Sequence, residues 1–579
     1  MTIIGINAYH ADSSAAIFVN GELIAAIEEE RFRRVKHWAG FPQMAIEFCI
    51  KEAGISFEEV DYFAIGRDPK AKFFKKLLYL ARNPSGSFSA IKNRLHNSRK
   101  VSSLEKELAT ISGLPPHIFK PKIKQVEHHR SHIASAFFAS PFEEAACLSI
   151  DGSGDFTTTM TAVGKGNEIT VLDSVDFPHS IGIFYTAFTQ LLGFPHYGDE
   201  YKVMGMAPYG EAKYVDKLKE VIHLTDNGLF QLNLKYFRKG TEGVISYGED
   251  HIPVVQPMYS EEMVKQFGEP RKKEEPLNQY HKDLAASVQK ITELTIFHIM
   301  EHLQKRTGLK NLCLAGGVAQ NSVANGKIKK HTSFRNIYIP SAGHDAGISI
   351  GAALFVQHQL LKEKRMPAIF SAYTGSRFNN TDIKECLLAQ NVLFTEYENE
   401  VLFDKITDCL IGGGVVGWFN GRSEFGPRAL GARSILADPR RTDAKDILNA
   451  KIKRRESFRP FAPSILKEYV GDYFEVTDEV PFMEKVFSIK ENKRKEIPAV
   501  THVDGSGRLQ TVDKNISPRF YQLIEAFRKK TGVPVLLNTS FNENEPIVNS
   551  PAQALDCYVR TDMDMLVMEN ILIHRKDNA

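Results

Sequence analysis

Ala146-Cys-Leu-Ser-Ile150 is a run of apolar and small residues, and it leads directly into Asp151-Gly-Ser-Gly-Asp155, a cluster of carboxylates and glycines. The run predicts a buried strand and the cluster a tight turn. Thr157 to Val163 then alternates, Gly164-Lys-Gly-Asn167 turns, and Ile169 to Val175 alternates again. The same order stands at the N-terminus, as Ile3 to Ile6, the polar bend His10-Ala-Asp-Ser-Ser14, Ala15 to Val19, Asn20-Gly21 and Leu23 to Ile27. Each copy predicts two adjacent antiparallel hairpins, and their recurrence predicts an internal duplication. Two unrelated meanders would give the same local pattern.

A strand, a polar Gly/Asp/Ser turn and a returning strand, present twice, is the arrangement with which actin-like ATPases hold phosphates between two related lobes, because such turns expose anion-binding backbone N–H groups. Further on, Asn311 to Ala315 reads as a buried strand ending in Gly316-Gly-Val-Ala-Gln-Asn321. Ile337 to Ile339 leads to Ser341-Ala-Gly-His-Asp345 and a small-residue helix, Ala346 to Ala353. Both are strand, Gly-rich loop, helix transitions suited to a nucleotide. After about Lys362 the connector Lys364-Arg-Met-Pro367 begins a new alternation of strands and helices, which predicts a domain boundary between 360 and 400. The basic, amphipathic stretch 70–100 is expected to be a solvated face, and the polar stretch 213–275 a lid or an acceptor-binding insertion.

With 579 residues the chain exceeds one hydrophobic core, and two large domains are the simplest division. Its 43% hydrophobic and 25% charged residues and net charge of +3 describe an ordinary globular protein with no bulk attraction to nucleic acid. No segment reaches the roughly 18 apolar residues of a membrane span, and the N-terminus lacks a signal-like pattern, so no membrane partner and a cytoplasmic location are expected. The six cysteines are scattered without a C-x-x-C pair and are expected to be reduced and mostly buried.

Two groups of residues carry chemistry. His128 and His132 are four apart in a helical stretch, so both imidazoles can face one ion. Alone the pair is not diagnostic. Asp151 at a strand end and Asp345 at a helix start, expected on opposing lobes, would make it an open mixed N/O site suited to iron or manganese, with zinc an alternative. Such an ion polarises a carbonyl. The second group is basic: Arg428 in Phe425-Gly-Pro-Arg-Ala-Leu-Gly431, Lys453 and Arg459 in Lys451-Ile-Lys-Arg-Arg-Glu-Ser-Phe-Arg-Pro-Phe461, and Arg508, joined by Asn538 and Ser540. Guanidinium forks bind phosphate bidentately, while Asn and Ser orient a small carbonyl.

These motifs, with Glu28-Glu-Glu-Arg-Phe32, Glu200-Tyr-Lys-Val-Met-Gly-Met-Ala-Pro-Tyr-Gly210 and Leu537-Asn-Thr-Ser-Phe-Asn542, run in order along nearly the whole chain. The sequence resembles the O-carbamoyltransferase family of the tobramycin, cephamycin and nodulation-factor enzymes. The resemblance implies a mixed α/β and α+β protein. Residues 1–360 would form a duplicated actin-like domain similar to the threonylcarbamoyl transferases of tRNA modification, and residues 361–579 a linker and YrdC-like domain. It further implies that the C-terminal domain converts carbamoyl phosphate and ATP, with Mg2+, to a carbamoyladenylate, and that the N-terminal domain transfers the carbamoyl group to a hydroxyl of a small-molecule acceptor. Carried over, His128, His132, Asp151 and Asp345 become metal ligands, with iron or another divalent transition metal. Arg428, Lys453, Arg459, Arg508, Asn538 and Ser540 become the carbamoyl phosphate and adenylate pocket, with Lys453 and Arg508 also catalytic. Gly152, Ser153, Gly316, Gly317 and Asn321 become nucleotide contacts, and His10 and Asp12, with His128, the catalytic groups near the acceptor. A homodimer is compatible with this reading. The competing readings are a tRNA threonylcarbamoyladenosine-type transferase and a non-catalytic actin-like ATPase module.

Overall fold

The computed structural model describes residues 1–82, 104–238, 245–247 and 251–575. Part of the 70–100 stretch, from 83, and residues 239–244 and 248–250 of the 213–275 stretch lie outside the described residues. The chain forms two compact units, Met1–Ala324 with Ile328–Ile369, and Phe370–Ala579 with Asn325–Lys327.

In the first unit the duplication is explicit. Strands β1 (Thr2–Asn7), β2 (Ser14–Val19) and β3 (Glu22–Glu28) form the expected antiparallel meander, and β4 (Tyr62–Ile65) and β5 (Ile123–Gln125) add parallel to β1, giving the order β3-β2-β1-β4-β5. The second sheet repeats this. Strands β6 (Glu144–Gly154), β7 (Thr157–Lys165) and β8 (Glu168–Asp176) are antiparallel, and β9 (Asn311–Ala315) and β10 (Asn336–Tyr338) continue parallel to β6. Asn20 and Gly21 both have positive φ, 50° and 88°, which matches the twist of the β2–β3 hairpin.

The turn after β6 comes later than the sequence suggests. The strand runs on through Asp151-Gly-Ser-Gly154, with an irregular register after Ile150, and the chain reverses at Asp155 and Phe156, both at positive φ. That irregularity is what aims the Asp151 side chain out of the ladder. Ile4, Ile6, Ile17 and Phe63 fill the core under the first sheet. The helix Phe73–Arg82 lies at the surface, its exposed residues apolar as well as basic. Lys75 reaches Asp176 at 2.6 Å, whereas Phe73, Phe74, Leu77 and Leu78 face solvent. All six cysteines are free, and four are buried.

The second unit is a nine-stranded mixed sheet. Its strands are β11 (Thr395–Glu396), β12 (Val416–Phe419), β13 (Arg433–Ala437), β14 (Ala462–Leu466), β15 (Lys485–Ser488), β16 (Ser506–Val512), β17 (Val535–Ser540), β18 (Met565–Met568) and β19 (Ile571–His574), in the order β11-β19-β18-β12-β13-β17-β14-β16-β15. Among the described residues of this sheet only β12–β18 and β14–β16 pair in parallel. One core surrounds Trp418, Leu436, Ile465, Phe520, Leu536 and Val567. Arg508 lies on β16, and Asn538 and Ser540 on β17, the two strands that flank β14 in one sheet.

Candidate functional site

Helix α1 (His128–Phe137) begins with the Glu127 side chain accepting the Arg130 N–H, a cap that starts the helix at the first histidine. Its i,i+4 spacing puts His128 and His132 on one face, against the end of β6. His128 Nε2 lies 3.0 Å and His132 Nε2 3.3 Å from Asp151 Oδ2. Asp345 Oδ1 stands 3.8 Å and 3.3 Å from the same two nitrogens. Gly154 admits the close approach, since a Cβ there would lie 2.1 Å from the His128 ring.

The four side chains are buried and offer ligand atoms within 4.8 Å of one another. Four donors at ~2.1 Å from a common centre would stand about 3.4 Å apart, close to the separations seen. Asp345 Oδ1 is buried and accepts no hydrogen bond although it faces His132 Nε2. That is the state of an oxygen whose partner is an ion, and the set fits a metal. Burial pulls the His132 pKa down, but the carboxylates of Asp151 and Asp345 outweigh it and hold it at about 9. Asp151 stays well below the ordinary carboxylate range: burial pushes it up, and the two imidazoles more than reverse that. An ion that takes the His132 nitrogen therefore displaces a proton.

The two carboxylates do not come from opposing lobes. Asp151 lies near the end of β6 and Asp345 follows β10 of the same sheet, while the loop between β1 and β2 of the first sheet contributes His10 and Asp12. Helix α2 (Ile348–Leu354), just after Asp345, packs on both α1 and β1, and this brings the two halves together at the site. His10 Nδ1 is 2.5 Å from Asp345 Oδ2. Asp12 Oδ1 is 2.8 Å from His37 Nδ1, and the His37 backbone N–H donates to Glu30 Oε2 at 2.9 Å. His37 belongs to no motif; it and Asp12 both lie at left-handed positions, φ 56° and 58°, in the loops that follow β3 and β1.

The glycine loops hold the Asp151 carboxylate. Asp151 Oδ1 accepts the N–H groups of Gly152 at 2.7 Å and Gly317 at 3.1 Å, so its other oxygen faces the histidines. Gly152 and Ser153 are partly exposed at the end of β6, and Gly316, at φ 100°, is buried. Asn321 exchanges two hydrogen bonds with Gln289 and accepts one from the Ala324 N–H.

In the second unit the loop 425–431 is stapled by Glu424, whose Oε1 accepts N–H groups from Leu430 at 2.7 Å, Ala432 at 2.7 Å and Arg433 at 3.2 Å. Lys453 Nζ is enclosed by Ser540 O at 2.6 Å, Asn542 O at 2.6 Å and Asn542 Oδ1 at 2.7 Å, so it ties down the 540–542 turn. Asn538 Nδ2 donates to Ser464 Oγ and Gln510 Oε1, both at 3.0 Å, which leaves its buried Oδ1 unpaired. Arg508 Nε is likewise buried and unpaired. Burial, then the charges of Arg428, Arg455 and Arg459, hold Arg508 well below the usual guanidinium range. Several cations gathered around one buried guanidinium are suited to a multiply charged anion.

Residues 2–354 match the family model for the carbamoyltransferase N-terminus, and residues 407–575 that for the carbamoyltransferase C-terminus. The chain belongs to the carbamoyltransferase family. It is therefore a transferase. It is 44% identical to an uncharacterized protein of Synechocystis sp., over 99% of this chain and 96% of that one. It is 38% identical to the nodulation protein NolNO of Sinorhizobium fredii, over 98% of this chain and 80% of the relative. Nodulation protein U of Rhizobium tropici is 28% identical over 94% and 91%. Among the described residues no helix is long and apolar enough to cross a membrane.

Proposed function

We propose that this carbamoyltransferase is an ATP-dependent O-carbamoyltransferase that works in two steps at two sites. The second unit, read as YrdC-like from its motifs, would make carbamoyladenylate from carbamoyl phosphate and ATP. The first unit, whose repeated sheet order supports an actin-like reading, would pass the carbamoyl group to a hydroxyl of a small-molecule acceptor, a secondary metabolite or saccharide. The observation that carries this is the cationic cluster around Arg508, in the same sheet as Asn538 and Ser540, for which a lone ATPase module has no use.

In the first step water hydrolyses carbamoyl phosphate, its oxygen entering as the carbamoyl–phosphate bond breaks, to give carbamate and inorganic phosphate. A carbamate oxygen then attacks the α-phosphorus of ATP, with Mg2+, and pyrophosphate leaves. Arg428, Arg459 and Arg508 neutralise the phosphate oxygens, Lys453 holds the Ser540 turn, and Asn538 Oδ1 can accept an N–H of the carbamoyl amide.

In the second step the acceptor oxygen bonds to the carbamoyl carbon, the bond to AMP breaks with the electron pair on AMP, and the hydroxyl proton passes to Asp12 or His10. His128, His132, Asp151 and Asp345 would hold a transition metal, iron in the first instance, whose contribution is Lewis-acid polarisation. The loop of Gly316, Gly317 and Asn321, with Gly152 and Ser153, would line the nucleotide, while the Gly317 N–H stays on Asp151.

The test is mass spectrometry for gain of one carbamoyl group across a panel of hydroxylated metabolites, with ATP and carbamoyl phosphate supplied. Gain only when both are present supports the reading. ATP turnover indifferent to carbamoyl phosphate overturns it.

A further inference from the structure

The register of the second unit's sheet gathers polar side chains on one face. Ser464 on β14 stands opposite Gln510 on β16, and Ala462, two residues earlier on β14, stands opposite Asn538 on β17. Alternate residues share a face, so Ser464, Arg508, Gln510, Asn538 and Ser540 fall on one side of the sheet, and Ile465, Leu509, Val535 and Leu537 on the other. Ser464, Gln510 and Asn538 are all buried. A buried amide has to be satisfied by its neighbours, and these neighbours leave each amide one orientation.

The assignment starts at Leu430. Glu424 holds its N–H at 2.7 Å, which fixes where its carbonyl stands, and a carbonyl only accepts. Gln510 Nε2 donates to that carbonyl at 2.7 Å. The other end of the Gln510 amide is therefore oxygen, and this Oε1 accepts from the Ser464 hydroxyl at 2.5 Å and from Asn538 Nδ2 at 3.0 Å. The Ala429 carbonyl accepts from the same Asn538 nitrogen at 3.2 Å. Were the Asn538 amide turned over, its oxygen would face two acceptors. As it stands, Asn538 Oδ1 is a buried acceptor with no donor among the described residues.

We propose that Gln510 is the positioning residue of this pocket: it turns Asn538 so that Oδ1 accepts an N–H of the carbamoyl group, and so makes the site select a carbamoyl over an acyl phosphate. The inference rests on the proposed activation role of the second unit and adds to it the residue that sets its selectivity. An amide and a methyl group are close in size, so shape alone separates carbamoyl from acetyl phosphate poorly. The amide satisfies Oδ1, whereas the methyl leaves it buried without a donor, and a site built around such a hydrogen bond rejects the analogue that lacks it. Without Gln510, Asn538 Nδ2 loses an acceptor, the amide is free to turn its N–H towards the substrate, and the rejection weakens.

The full chain and its Q510M, Q510E and S464A variants test this. ATP–pyrophosphate exchange driven by carbamoyl phosphate gives kcat and a KM for each substrate, and competition gives the inhibition constant of acetyl phosphate. The ratio of that inhibition constant to the KM for carbamoyl phosphate measures selection of the amide. Q510M keeps the length of the side chain but offers Asn538 no oxygen, and its ratio should fall at least fivefold, through a higher KM for carbamoyl phosphate with the KM for ATP within twofold of wild type. Q510E retains an acceptor for Asn538 and Ser464 and should recover most of the ratio. A fall of less than fivefold in Q510M overturns the proposal even if Tm or kcat drops, since a purely structural glutamine would weaken the fold without changing which phosphate is preferred. A Q510E ratio as low as that of Q510M overturns it as well. If Q510M does not fold, S464A, which removes the hydroxyl bonded to both amides, is read by the same ratio: a fall of threefold or more supports the proposal and a smaller one overturns it. Wild-type protein without carbamoyl-phosphate-driven exchange defeats the activation reading itself, a result distinct from failure of Gln510 alone.

Discussion

His10 Nδ1 lies 2.5 Å from Asp345 Oδ2, so the loop after β1 is tied to one of the four side chains that converge on the metal position. A partner of this kind fixes the carboxylate so that Oδ1 faces His132, and loss of such partners typically costs tenfold to a hundredfold in metal affinity. His10→Ala should therefore release iron or manganese at about tenfold lower chelator concentration than the wild type while keeping the same Tm in the metal-free form. Unchanged chelator competition would assign His10 to the acceptor alone.

The ligand set makes a stoichiometric prediction. The purified protein, loaded with iron and desalted, should carry about one ion per chain by elemental analysis, and Asp151→Asn should fall well below that. Equal loading of both proteins would remove Asp151 from the site.

The His37–Asp12 pair gives a pH dependence with a definite sign. Burial lowers the His37 pKa, but Asp12 more than compensates and raises it from 6.5 to about 9, while Asp12 is lowered, its burial outweighed by His37. A raised histidine pKa stabilises the fold fully below about pH 6.5, and the contribution disappears as pH rises through about 9. The Tm difference between wild type and His37→Gln should be largest near pH 6 and vanish by about pH 10. A difference independent of pH would mean that His37 acts by packing against Tyr197, 5.1 Å from its ring.

Much of this was legible in the residues, for reasons that can be stated. The meanders were readable because strand alternation and Asn20-Gly21 are local signals, and the two histidines because helical spacing is local too. Asp151 stood out as a carboxylate at a strand end. What local pattern cannot carry is register and long-range approach. His37 reaches Asp12 from the loop that follows β3. Asp345 belongs to the same sheet as Asp151, which depends on where β10 pairs. Lys453 reads as a phosphate-binding cation in the sequence, whereas the 540–542 turn encloses it.

Glu424 is a further residue without a motif role whose structural task is clear. Its carboxylate collects three backbone N–H groups around the loop bearing Arg428. Glu424→Ala leaves those donors buried and should destabilise the second unit by on the order of 3 kcal/mol, whereas Glu424→Gln retains an acceptor oxygen and should cost less than half of that. Chemical denaturation separates the two, and equal effects would show that shape rather than hydrogen bonding holds the loop.

The division of labour between the two sites is the central claim, and ATP–pyrophosphate exchange driven by carbamoyl phosphate tests it without knowledge of the acceptor. Wild type and His132→Ala should exchange at similar rates, since His132 serves only the transfer step, and Arg508→Ala should not exchange. Exchange by Arg508→Ala at the wild-type rate, or its loss in His132→Ala to the same extent as in Arg508→Ala, would contradict the account.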